Sequence, residues 1–151
     1  MAKKRSSVSV GLVETGQTDA ILGAMPIKVR EKVLKSALRK AARVVIKEAK
    51  RLVPQGDPKH NPGNVSLKDT IKTVRRKYKT ADAEIVGPEY PQGAHGHLVE
   101  FGHEEVLWGR RTGERVKPKP FLRPAADNTE KQQQAAIIQH LRRELDKLAR
   151  R

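Results

Sequence analysis

The chain has 151 residues, 36% hydrophobic and only 3% aromatic, which leaves room for one compact domain with a core built from Ala, Val, Ile and Leu. It contains no cysteine, which removes disulfide frameworks, thiolate zinc sites and cysteine nucleophiles, and fits assembly in a reducing cytoplasm. A formal net charge of +15 favours acidic partners, whether nucleic acid, an anionic membrane surface or an acidic protein face, and does not choose among them.

The basic start MAKKRSSVSV lacks the continuous apolar run of a signal peptide, and no stretch reaches the length needed to cross a bilayer, so no membrane partner is expected. Residues 7–13 alternate with Val8, Val10 and Leu12 on one side, the period of a half-buried strand. Thr18 and Asp19 can cap a brief helical turn that carries Ile21, Leu22 and Met25 before Pro26. Over residues 27–53, Leu34, Leu38, Ala41, Val45, Ala49 and Leu52 recur at steps of three and four, which predicts a long amphipathic helix ended by Pro54. Its opposite side is basic, with Lys32, Lys35, Arg39, Arg43, Lys47 and Lys50.

Residues 54–66, PQGDPKHNPGNVS, read as an extended, flexible loop. Residues 67–71 start a helical turn or enter a strand, and residues 73–79 and 83–87 flank turn residues 80–82 as an antiparallel hairpin. A short apolar segment, 98–101, closes at Gly102, and a second hairpin arm within 103–118 is expected to turn around Thr112 and Gly113 and to carry Trp108, the only tryptophan. Pro124 suits the first position of a closing helix, along which Ile137, Ile138, Leu141, Leu145 and Leu148 form the apolar stripe. Together these elements predict an α+β fold in one domain spanning 1–151: a small antiparallel β-sheet packed by the long helix and the C-terminal helix.

Chemistry is thinly represented. His95, His97 and His103, with Glu100 and Glu104, are the one cluster resembling metal-ligand spacing, but they lie in a glycine-rich stretch with no visible partners to orient the rings, so no metal or other cofactor is expected. No GxSxG elbow, GxGxxG fingerprint or GxxxxGK[ST] loop occurs. Beyond the helix face, Arg75 to Lys77, the pair Arg110 and Arg111, and the tail Arg150 and Arg151 could meet phosphates, although the aromatic platforms of single-strand binders are scarce.

In order, the chain shows GLVE, a long Ala-rich helix ending AKRLVP, LKDTI, a hairpin ending IVGP, then LVEFGH (98–103) and KPFLRPA (119–125) ahead of the last helix. This order resembles the head-tail joining family of tailed phages, the neck or tail-completion type proteins of long-tailed phages and prophages. The resemblance covers roughly residues 8–148. It departs at the longer loop after the first helix and at His103, where the family commonly has Thr. It implies an α+β structural subunit without catalytic activity, assembled in the host cytoplasm into a ring, commonly a hexamer, between the portal-side connector and the tail tube or tail terminator in the virion neck.

On that resemblance Glu100, Phe101, Gly102, Pro120, Phe121, Leu122 and Pro124 specify the fold. Gly102 supplies backbone angles closed to other residues, Phe101 plugs the core beneath the sheet, and Glu100 pairs with an Arg or Lys of its own or the next subunit. Arg39, Arg43, Lys47, Lys50, Trp108, Arg110 and Arg111 are the expected contacts with partners or with genome DNA in the channel. The alternative from another class is a small, basic, non-specific nucleic-acid-binding protein.

Overall fold

The computed structural model describes residues 8–10, 16–55, 65–78 and 82–150. Two long helices and a small sheet make its body, in agreement with the α+β expectation. In chain order the elements are β1 (Val8–Val10), α1 (Gly16–Gly23), α2 (Ile27–Leu52), α3 (Leu67–Thr70), β2 (Ile71–Lys77), β3 (Asp82–Pro88), α4 (Gly96–Phe101), β4 (His103–Leu107), β5 (Arg110–Val116) and α5 (Leu122–Ala149). Leu12 of the expected first strand, most of the Pro-rich loop and the turn residues Thr80 and Ala81 lie outside the described residues.

Pro26 precedes α2 in extended geometry, and its carbonyl accepts the N–H groups of Val29 and Arg30, both at 2.9 Å, which starts the helical ladder. The buried side of α2 is Val33, Ala37, Leu38, Ala41, Ala42, Val45 and Ala49. This is wider than the predicted stripe, and the predicted Leu34 and Leu52 are only half-buried. The reason is position: α2 packs against α5 and against β2 and β3 as well, so it is covered on more than one face. Ala37, Ala41, Ala42 and Ala49 expose nothing, and their small side chains let neighbouring elements approach closely.

The sheet order is β1-β3-β2, antiparallel throughout, with Thr73 opposite Val86 and Arg75 opposite Glu84. Residues 67–71 do both things the sequence allowed, a helical turn and then strand entry. On β3 the alternation buries Glu84 and Val86, so a carboxylate shares the inward face with a valine. The apolar segment 98–101 lies in the short helix α4, entered through Gly96, where a Cβ would come within 2.5 Å of Pro88 Cγ.

Strands β4 and β5 form a separate two-stranded arm that packs chiefly on itself. Its turn is Trp108–Gly109, and not the expected Thr112–Gly113. Leu107 pairs with Arg110 across the turn, and both turn residues have positive φ, 53° and 78°, as a two-residue hairpin loop of the primed type requires. Gly113, with φ 81°, instead serves an irregularity in the ladder, where the register shifts between Glu104 and Val106. Trp is a poor residue for left-handed backbone, which is why sequence patterning favoured Thr-Gly.

Candidate functional site

The two signature segments meet at the start of α5. Glu100, buried on α4, accepts the backbone N–H groups of Phe121 (2.8 Å) and Leu122 (3.0 Å) on Oε2 and of Arg123 (3.1 Å) on Oε1. The N–H of Lys119 donates to Val99 O at 2.8 Å beside them. Glu100 is therefore held by backbone donors, where the sequence suggested a Lys or Arg. Helix α5 begins at Leu122, two residues before the expected Pro124.

An α-helix opens with four N–H groups that have no partner within the helix. Here three of them meet the Glu100 carboxylate, and the fourth position is Pro124, which has no N–H. The core plug is Phe121, fully buried with Leu122 beside it, whereas Phe101 is 46% exposed. Phe101 is the last residue of α4, next to the buried Glu100. Gly102 follows with φ 70°, and a Cβ there would lie 2.5 Å from Val116 O at the base of the arm. Pro120 belongs to the exposed segment that leads into Phe121.

The arm carries the second group of expected contact residues. Trp108 at its tip is 100% exposed, and Val106 and Leu107 beside it are more than half exposed. Arg110 and Arg111 follow the turn, with Arg111 Nη1 3.2 Å from Glu104 Oε2. Every residue of β5 is exposed.

The third feature is a cavity of about 340 Å³ against the basic side of α2, lined by Lys32, Lys35, Arg39, Lys40, Arg43 and Arg75, with Ser36 and Glu84. It gathers Arg39 and Arg43 of the expected set; Lys47 and Lys50 are not among its lining residues. Glu84 is 2% exposed; its Oε2 accepts the Thr73 hydroxyl at 2.7 Å, and its Oε1 lies 3.9 Å from Arg39 Nε.

Beneath this cavity α2 and α5 share a polar relay. Lys40 Nζ donates to His140 Nδ1 at 2.9 Å, since an ammonium has no acceptor to offer, and this leaves the proton on Nε2 to meet Ser36 Oγ. Ser36 in turn donates to Val33 O at 2.9 Å. Burial, reinforced by the charge of Lys40, holds the His140 imidazole below its ordinary pKa and favours the neutral ring that this relay needs.

Sequence reasoning missed His140, Lys40 and Glu84. The first two are partners across 100 residues of chain, and nothing local marks Glu84 as the inward residue of β3. The histidines it did single out are dispersed: His95 precedes α4, His97 Nδ1 bonds Ala94 O at 2.6 Å, and His103 opens the arm. Among the described residues, no group of three His, Cys, Asp or Glu side chains is placed to hold a metal ion. No helix among them is long and apolar enough to cross a membrane.

Neither the curated proteins nor the solved structures contain a significant match to this chain. A family model described as "Bacteriophage HK97-gp10, putative tail-component" matches residues 17–102, which takes in α1, α2, α3, the β2–β3 hairpin and α4, and ends on Gly102. That is more than half of the sequence, and the chain belongs to the HK97-gp10-like family of bacteriophage tail components.

Proposed function

We propose that the chain is a ring-forming subunit of the neck of a long-tailed phage or prophage, joining the portal-side connector to the tail terminator or tail tube. A structural tail component works through other virion proteins, and its place is the virion. The observation that carries the finer reading is the arm: a hairpin standing off the body, with Val106, Leu107 and Trp108 presented to solvent at its end. Adjacent exposed apolar residues on a projecting element suit a contact completed by another chain. A ring, commonly of six, closes through a heterologous interface, in which each copy offers unlike surfaces to its two neighbours. The arm tip supplies one such surface and the body of the next copy the other. The subunit's role is mechanical, without catalysis.

Native mass spectrometry and negative-stain imaging of the full chain, alone and mixed with adjoining neck proteins, test this reading. Closed rings of one stoichiometry are expected. Monomers under every condition would overturn it.

A further inference from the structure

Five of the six cations that line the cavity on α2 come from that helix, at Lys32, Lys35, Arg39, Lys40 and Arg43, with Arg75 contributed by β2. Lys32, Lys35, Arg39 and Arg43 fall at steps of three and four and so share a face, with Lys40 at its edge. From Lys32 to Arg43 the helix rises roughly 16 Å, the axial rise of about five phosphate-to-phosphate steps on one strand of B-form DNA. Glu84 is the one acid in the lining and Glu31 Oε2 lies 3.9 Å from Lys35 Nζ beside it, so six positive charges against two negative leave a net +4 around a single cavity. Like charges this close repel one another, and a bound anion relieves that repulsion.

The lining also says what kind of anion. All eight lining residues are charged or polar, whereas the centre of a protein–protein contact is depleted of charge, and of lysine above all. We infer that this cavity is a phosphate-binding cleft that takes the sugar-phosphate backbone of nucleic acid, with Arg39 and Arg43 as its principal contacts. Ser36 and Lys40 of the lining are both bonded to His140, and Arg39 keeps most of its side chain exposed with Nε 3.9 Å from Glu84 Oε1. Base sequence goes unread, because phosphate contacts carry none. The inference stands apart from ring formation and applies to the chain in any state of assembly.

The test is fluorescence anisotropy of a labelled random-sequence duplex with the full chain across a salt series. Wild type should bind at about 50 mM salt with log affinity falling linearly in log salt. Replacing Arg39→Gln and Arg43→Gln together should flatten that slope by about 1.8 and weaken binding by roughly a hundredfold at low salt. Arg39→Lys with Arg43→Lys should restore the slope, and Lys131→Gln with Arg142→Gln, exposed on α5, should leave it near wild type. Should the paired Gln variant melt early, Arg43→Gln alone carries the same reading at half the slope change.

Absence of duplex binding at low salt would overturn the inference, as would an equal loss from the α5 variant. Two competitors separate other sources of negative charge. If sodium tripolyphosphate displaces the duplex at a lower phosphate concentration than unlabelled duplex does, the cleft is a small-anion site. If poly-L-glutamate binds and duplex does not, it is an acidic-protein site. Either result removes the nucleic-acid reading.

Discussion

At the first turn of α5 the opening N–H groups point into the protein, where water is scarce, so each needs an acceptor or must be absent. Glu100 and Pro124 meet that need between them, and a carboxylate has the further merit of placing negative charge at the positive end of a helix. Glu100→Ala leaves three donors without a partner, two of them buried, and should destabilise the chain by about 3 kcal/mol. Glu100→Gln keeps one oxygen, enough for the two donors now on Oε2, and should lose only about 1 kcal/mol. Urea titration with an unchanged m-value reads both. An Ala variant within about 0.5 kcal/mol of wild type would mean that water reaches these N–H groups and that the clamp is dispensable.

Between elements, the α2–α5 junction combines a dry seam of Ala and Leu with one polar relay centred on His140. Burial first, then the charges of Lys40, Lys147 and Arg143, lower the His140 pKa in the folded chain, against an opposing pull from Glu144. The unfolded chain therefore binds the proton more readily. The stabilisation is full above the unfolded value of about 6.5 and is lost as pH falls from there through the folded pKa. Stability measured from pH 8 downward should show this decline in wild type and a smaller one in His140→Gln, the difference between the two curves isolating the ring. Curves that run parallel through that range would rule out the relay as a pH-dependent lock.

What the sequence could reveal at this scale was periodicity: the long helix, the β2–β3 hairpin and the closing helix all announce themselves through spacing. The Glu100 clamp, the His140 relay and the inward Glu84 join residues 11 to 104 apart, so each exists only once the chain has folded. The arm's turn escaped for a different reason, because Trp108 adopts a conformation that its residue type disfavours.

That conformation bears on the whole molecule. A non-glycine residue in left-handed backbone costs about 1 kcal/mol, and Trp108 recovers none of it through burial within its own chain, since it is fully exposed. A large ring held out at some strain on a projecting hairpin makes physical sense if its burial comes from another copy or another virion protein. Trp108→Asn separates the two contributions. Asn-Gly is the preferred pair for a two-residue primed turn, so the variant should be more stable as an isolated chain, by about 0.5 to 1 kcal/mol. It should at the same time lose the apolar contact and form rings poorly in native mass spectrometry, with dissociation shifted to higher protein concentration. A variant that gains stability and assembles like wild type would remove the arm tip from the interface. The ring contact would then have to be sought on the body, where Ile27 and Val74 are the large apolar side chains left exposed on α2 and β2.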